Sequence, residues 1–146
     1  GVRMRKPFEI GRIRCEAFPV EHSTRAPAVG YRIDAGRAAV FYMPDVVYIR
    51  DRRSALSGID LYIGDGATLT RSFVRKPGEA LIGHTPVRTQ LTWCRKEGVS
   101  RAVITHCGSQ IVEGDERTIG AQVRAMGRER QVAVDIAFDG MVRVLR

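Results

Sequence analysis

Five short apolar segments of this 146-residue chain each end at a histidine or an aspartate, and this repeated pattern constrains the fold most. In chain order they are FPVE before His22, VFYMP before Asp45, LYIG before Asp65, ALIG before His84 and AVIT before His106. The chain has only three histidines, and all three stand at such ends. In open α/β sheets, functional sites form at the carboxyl ends of the strands. We therefore expect a sheet whose polar strand ends converge on one rim.

The remaining sequence predicts a mixed α/β fold. Short stretches rich in β-branched or aromatic residues, bounded by Gly, Pro or Asp, are typical of strands. They occur at 12–20, 28–34, 37–43, 59–64, 79–83, 101–105 and 131–137. Asp34-Ala35-Gly36 predicts a tight hairpin turn between the second and third of these strands.

Two helices are predicted in the second half of the chain. Thr85 is a good N-cap for the first, with a proline at the first helical position, and Gly98 is expected to end it. Asp115 and the glutamate after it begin the second with charge that suits the helix dipole, and Gly127 is expected to end it. A third, weaker helical segment is predicted at 50–57.

Length and composition indicate one domain over residues 1–146 of a globular protein. No apolar run approaches the roughly 20 residues that cross a bilayer, so no membrane association is expected. The first residues lack the apolar segment of a secretory signal, and we expect a cytoplasmic protein. Three widely spaced cysteines do not suggest a disulfide framework.

The chain is strongly basic, with 24 Lys and Arg against 16 Asp and Glu and a formal net charge of +8. Such a charge favours anionic partners, either small phosphate esters or nucleic acid. The cations are spread along the chain, and no aromatic residues are interleaved with them in one stretch. A generally basic surface that receives a small anionic substrate is therefore favoured, while nucleic acid stays an alternative.

Each residue at a strand end also has a purely structural interpretation. A single histidine there is often only a hydrogen-bonded structural residue, and Asp45 after a proline could start a turn. Asp65 lies between two glycines, which suits a turn and a functional site equally. Cys107, directly after His106, is best interpreted as a small buried thiol, although it would lie near any chemistry there. Taken together, however, histidines and aspartates are the ligands that suit Zn²⁺, Mn²⁺ or Fe²⁺.

Several of these stretches resemble one family. Glu21-His22-Ser23, then VGYRI at 29–33 and VFYMPD ending at Asp45, resemble the third-histidine and bridging-aspartate region of metallo-β-lactamase-fold hydrolases. The similarity is greatest to branches that cleave phosphodiesters, including transfer-RNA 3′-processing nucleases and cyclic phosphodiesterases. Gly83-His84-Thr85 before a helix, and VITH ending at His106, resemble the later histidines of the same branches.

The resemblance implies half of an αββα sandwich, with a mixed sheet and two main helices. It implies that His22, Asp45 and His106 are metal ligands, with Asp45 bridging two ions, and that His84 acts in acid–base catalysis or stabilises an oxyanion. Asp65 and Cys107 would then lie next to these residues and help to position them without binding the metal themselves. The His-x-His-x-Asp-His motif that supplies the remaining ligands in the family does not occur in the chain.

Function follows from this resemblance as an expectation. The parent protein would be a metal-dependent hydrolase of phosphodiester or related ester bonds, using zinc, or else manganese or iron. The chain alone, which lacks the first metal motif, would be weakly active or inactive. It would pair with a missing N-terminal half or with a second copy. The alternative is a stand-alone basic half-domain that binds anionic ligands or nucleic acid.

Overall fold

A mixed sheet forms the centre of the structure, a computed structural model that describes residues 1–76 and 78–145. The strand order of this sheet is β1-β2-β3-β4-β6-β9-β10, with β5 paired to β2, while β7 and β8 form a separate two-stranded sheet. The bounds of the strands are β1 Phe8–Ile10, β2 Ile13–Glu21, β3 Ala28–Ala35, β4 Ala38–Tyr42, β5 Tyr48–Ile49, β6 Leu61–Asp65, β7 Phe73–Arg75, β8 Ile82–His84, β9 Arg101–Thr105 and β10 Ala133–Ile136.

The directions of the strands explain why their polar ends meet. β3 is antiparallel to both β2 and β4, so β2 and β4 run the same way. β4, β6, β9 and β10 are mutually parallel neighbours. The carboxyl ends of β2, β4, β6 and β9 therefore lie on one rim of the sheet, as the sequence pattern predicted. The mixed α/β fold class predicted from the sequence is confirmed.

The helices pack on one face of the large sheet and bury the core there. They are α1 Arg52–Leu56, α2 Val87–Lys96, α3 Ser109–Val112 and α4 Glu116–Arg128, of which α2 and α4 are the two main helices expected. Phe41, Tyr62 and Ile104 from the sheet have no solvent exposure, and neither do Leu91 of α2 and Val123 of α4. The apolar periodicity of both helices thus faces the sheet, as amphipathic helices do.

The two main helices begin differently. The predicted start of α4 at Asp115 is confirmed, and its carboxylate also caps the helix by accepting a hydrogen bond of 2.8 Å from the backbone N–H of Thr118. The predicted cap of α2 is wrong, because Pro86 rather than Thr85 occupies that position without a side-chain hydrogen bond. Thr85 instead donates its backbone N–H to Val46 O at 2.7 Å and ties the start of α2 to the rim.

The segment predicted as a strand at 79–83 also differs from expectation. Its ordered part is β8, at Ile82–His84, and it pairs with β7 outside the large sheet. The sequence did not predict β1, β5, β7 or α3. These elements have only two to four residues each, too short for apolar periodicity to show. His84 therefore reaches the rim from a hairpin above the sheet and not from a strand within it.

The opposite face of the sheet carries two apolar rows. Residues directly across a strand pair share a face, and Tyr31, Tyr42, Ile63 and Val103 lie in one such row. The adjacent row runs from Ile33 through Val40 to Leu61. None of these seven residues belongs to the core beneath the helices. We call these two rows the outer face. Within residues 1–76 and 78–145, no helix is both long and apolar enough to cross a membrane.

Candidate metal centre

The rim brings all five strand-end residues of the sequence pattern together. His22 directly follows β2, Asp65 ends β6 and His106 directly follows β9. Asp45 lies three residues beyond the end of β4, and His84 ends β8. Parallel strand direction accounts for four of these positions, and the β7–β8 hairpin accounts for the fifth.

Asp45 lies at the centre of the cluster. Its Oδ1 is 3.2 Å from Nδ1 of His106 and 3.8 Å from Nε2 of His22. The ring of His84 lies between the other two imidazoles, with centroids 4.9 Å from that of His22 and 5.8 Å from that of His106. Because the Asp45 side chain is still 36% exposed, its carboxylate remains accessible from the solvent.

Two overlapping sets of side chains have ligand atoms within 4.8 Å of one another. One set is His22, Asp45 and His84, and the other is Asp65, His84 and His106. The three ligands implied by the family resemblance, His22, Asp45 and His106, are thus divided between the sets, and His84 belongs to both. The individual roles of these residues stay predictions.

A pair of hydrogen bonds orients His22. Its Nδ1 lies 2.8 Å from Gly83 O, and because a carbonyl only accepts, Nδ1 carries the proton and donates. Gly83 in turn donates its N–H to His22 O at 2.9 Å. Nε2 is the ring nitrogen directed to Asp45, and a backbone carbonyl that holds Nδ1 in this way orients a metal-ligating imidazole.

The hairpin can approach His22 only because residue 83 is a glycine. Its φ is +113°, in the region that side chains disfavour, and a Cβ there would lie 1.8 Å from Phe73 O. Any other residue would separate β7 from β8 or displace His84. The glycine before His84 is therefore a structural requirement of the site.

Asp65 supports His84 from a fully buried position. Its Oδ2 accepts from His84 Nδ1 at 2.7 Å and from Val46 N–H at 2.9 Å, and its Oδ1 accepts from Ala67 N–H at 2.8 Å. A carboxylate only accepts, so Nδ1 of His84 carries a proton and Nε2 is free. Both interpretations that the sequence left open have a contact behind them: the bond from Ala67 N–H is a turn contact, and the bond from Nδ1 orients His84.

A buried hydrogen-bond network behind Asp65 was not predicted from the sequence. Gln90 of α2 has no solvent exposure; its Oε1 accepts from Tyr62 OH and from Asp65 N–H, both at 2.9 Å. Its Nε2 donates to Asp65 O at 2.7 Å and to Thr85 O at 3.2 Å. The signal was a glutamine three residues after Val87 on the apolar face of α2, where a polar side chain needs partners.

Burial also sets the protonation of the nearby weak acids. It raises the pKa of the Tyr62 hydroxyl well above 10.0, so that group stays a neutral donor to Gln90. Burial likewise raises the pKa of the Cys94 thiol to about 12 and that of the half-buried Cys107 thiol above 9.0. Cys107 is thus a neutral thiol next to His106, which agrees with the small-thiol interpretation and gives it no thiolate character.

The loops that follow β6 and β9 are packed backbone against backbone. Gly66 N–H donates to Thr105 O at 2.7 Å, and Gly108 N–H donates to Gly66 O at 3.0 Å. A Cβ on Gly66 would lie 2.6 Å from Thr105 O. His106 itself has a φ of +50°, a left-handed conformation that turns the chain at the strand end. These contacts fix His106 beside Asp45.

Comparison with known proteins agrees with this fold and arrangement. Residues 1–107 match the family model described as a beta-lactamase superfamily domain, which is more than half of the chain. The chain belongs to that family. No curated protein sequence matches it significantly.

Solved structures with a similar fold include three from different organisms. The metallo-beta-lactamase fold protein YhfI from Bacillus subtilis has a TM-score of 0.70 and 18% identity, covering 95% of this chain and 52% of that one. The metallo hydrolase Igni18 from Ignicoccus hospitalis has a TM-score of 0.64 and 12% identity, covering 97% and 58%. An isothiocyanate hydrolase from Delia radicum gut bacteria has a TM-score of 0.63 and 12% identity, also covering 97% and 58%.

These similarities establish the fold of the chain as part of a metallo-β-lactamase-type fold. The chain spans only about half the length of the solved structures that it matches. Of these neighbours, only the isothiocyanate hydrolase is described by a substrate, so they do not distinguish a phosphodiesterase branch from other branches.

Proposed function

We propose that this chain carries the second part of the metal site of a hydrolase that cleaves phosphodiester or related ester bonds. The observation that supports this most is the convergence of His22 and His106 on one accessible carboxylate, Asp45, at 3.8 and 3.2 Å. Nitrogen and oxygen donors of this kind suit Zn²⁺, with Mn²⁺ and Fe²⁺ as alternatives.

The donor set fits a divalent cation. Nδ1 of His22 is committed to Gly83 O, which leaves Nε2 as the nitrogen that a cation can bind, and the Asp45 carboxylate lies between the two imidazoles. We propose His22, Asp45 and His106 as ligands, with Asp45 shared between two ions in the complete site. A cation bound there would polarise the substrate and activate a water molecule for attack.

Asp65 and His84 serve as the acid–base pair in this proposal. The Asp65 carboxylate holds Nδ1 of His84 at 2.7 Å and so fixes the ring. Nε2 of His84 is then the atom that exchanges a proton with the leaving group, because it is the ring nitrogen without a protein partner in this network. The 24% exposure of the His84 side chain lets a substrate reach it.

The charge of the chain supports an anionic substrate. Arg25, Arg71 and Arg75 are exposed on segments that adjoin the rim, and the net charge is +8. Positive charge around a cleft raises the local concentration of anions. A stand-alone module that binds anionic ligands or nucleic acid remains the second candidate, supported by the same charge and by the absence of the first metal motif from the sequence.

Isothermal titration of the 146-residue chain with Zn²⁺ and Mn²⁺ tests the metal site. We expect weak, substoichiometric binding, because the His-x-His-x-Asp-His motif that supplies the remaining ligands in the family does not occur in this sequence. Asp45→Asn should weaken it at least about tenfold, the lower bound even for residues that only support a ligand. Asp139→Asn, which changes an exposed aspartate of the C-terminal segment, is the matched control.

Unchanged metal affinity in Asp45→Asn would reject the proposed metal centre. Tight binding of single-stranded or duplex nucleic acid by the metal-free chain, with no response to Asp45→Asn, would instead support the binding module. Hydrolysis of bis(4-nitrophenyl) phosphate by the longer protein, abolished by chelation, would support the hydrolase.

A further inference from the structure

The β7–β8 hairpin places an exposed aromatic ring beside His84. Phe73 and His84 stand directly opposite each other in this antiparallel pair, so their side chains project from the same face about 5 Å apart at Cβ. His84 uses that face to reach Asp65. Phe73 is 50% exposed, although an aromatic ring in a short hairpin would ordinarily be buried. Its ring therefore borders the candidate metal centre.

The guanidinium of Arg75 lies on the same face of β7 as the ring of Phe73. Side chains two residues apart share one face of a strand, and Arg75 is two residues from Phe73. Arg75 is exposed, and among residues 1–76 and 78–145 no carboxylate forms an ion pair with it. The imidazole of His84, the ring of Phe73 and the guanidinium of Arg75 thus lie on one face of the hairpin: His84 is directly opposite Phe73, and Arg75 is two residues further along β7.

The hairpin is anchored at its inner end. Gly83 is held to His22 by two hydrogen bonds, through Nδ1 of the ring and through the backbone, at 2.8 and 2.9 Å. The next residue but one, Thr85, is held to Val46 O at 2.7 Å. The backbone of β8, and that of β7 paired with it, is consequently held at the rim, which sets the position from which Phe73 projects beside His84.

We propose that Phe73 and Arg75 form a subsite for a planar aromatic ring that carries a negatively charged substituent. The ring of the ligand stacks on Phe73, and its anion pairs with the guanidinium of Arg75. This inference rests on the proposed hydrolase function, because it makes the leaving group that His84 protonates an aromatic one. An alkyl ester would leave the exposed ring without a partner.

Three phosphates test the subsite on the metal-free chain: one carries a planar ring, one carries a non-planar ring and one carries no ring. Phenyl phosphate, cyclohexyl phosphate and inorganic phosphate would each be titrated against ¹⁵N-labelled protein, with amide shifts as the readout. We expect phenyl phosphate to bind about tenfold more tightly than cyclohexyl phosphate, in line with aromatic stacking, and to shift the amides of 72–76 and 82–84. Arg75→Ala should weaken all three phosphates.

Phe73→Ala should remove the preference for the planar ring, and Phe138→Ala, at a 66% exposed phenylalanine far along the chain, should keep it. Phe73→Leu retains an apolar side chain for the fold and should also lose the preference. Equal binding of the phenyl and cyclohexyl compounds to the wild-type chain would overturn the inference, as would shifts confined to α4. Failure of the metal centre is a separate outcome, because it is measured by the metal affinity of Asp45→Asn.

Discussion

Two sets of contacts suggest different roles for His84. Its Nδ1 is committed to the buried Asp65, yet its ring lies within reach of His22 and His106. If His84 transfers protons and does not bind metal, His84→Ala in the longer protein should lower turnover about 10²–10⁴-fold. Metal content, measured by mass spectrometry of the purified protein, should be unchanged.

The matched variant for this prediction is Asp65→Asn, which keeps the size of the side chain. An amide can donate to Nδ1 and so favours the wrong tautomer of His84, which should also lower turnover without loss of metal. Loss of metal in His84→Ala would make His84 a ligand and would contradict the acid–base assignment.

Gln90 holds α2 to β6 through three hydrogen bonds, and a fourth goes to Thr85 O. Gln90→Leu leaves the Asp65 N–H and the hydroxyl of Tyr62 in the core without their partner. Each unsatisfied buried group costs about 1–3 kcal/mol, so the free energy of unfolding should fall by roughly 2–5 kcal/mol. Urea denaturation followed by circular dichroism measures this loss.

Tyr62→Phe is the comparison for Gln90→Leu. It removes one donor and leaves Gln90 Oε1 still bonded to Asp65 N–H, so the expected loss is only about 1 kcal/mol. Equal losses in the two variants would show that the network is not the origin of the stabilisation.

At the scale of elements, the Asp115 cap of α4 makes stability depend on pH. The hydrogen bond from Thr118 lowers the pKa of Asp115 below 3.8 in the folded protein. A lowered folded pKa means that the contribution is present above the unfolded value and is lost as pH falls through the folded one. Asp115→Ala should therefore lower the thermal midpoint at neutral pH, and the difference should shrink in strong acid. Asp139→Ala should show no such dependence.

The elements that the sequence predicted are those with enough length to show a period or a cap. Strands β2, β3, β4, β6, β9 and β10, and helices α1, α2 and α4, were predicted within a few residues of their bounds. The missed β7 has three residues and becomes a strand only because Gly83 lets β8 approach it. Its pairing is tertiary information, which local composition does not contain.

The residues of the site also divide into those that the sequence predicted and those that it did not. The rim position of His22, Asp45, Asp65 and His106 followed from strand direction, because a polar residue after an apolar run marks the end of a strand. The presence of His84 in both ligand sets could not be predicted from the sequence, because it depends on the β7–β8 hairpin, which brings His84 to the rim. Gln90 was missed because only the packed structure shows which backbone groups a buried amide can reach.

At the scale of the whole molecule, the sheet is covered unequally. The helices cover one face, whereas on the outer face Tyr42 is 40% exposed at the centre of an apolar row. Residues 142–145 line a cleft together with Leu61 and Val103, beside β6, β9 and β10. Apolar strands without clear alternation, such as β9, are typical of sheets buried on both sides. A second layer on the outer face would complete such burial.

We expect the outer face to be covered by an N-terminal half of a longer protein or, for the 146-residue chain alone, by a second copy. At about 25 cal/mol per Å², covering several hundred Å² contributes on the order of 10 kcal/mol before association costs. Light scattering after size exclusion at low micromolar concentration should therefore give about twice 16.2 kDa. Tyr42→Lys, at the centre of the face, should yield the monomer. Val112→Lys, at a 70% exposed residue of α3, should not. A stable 16.2 kDa wild-type monomer would contradict the expectation.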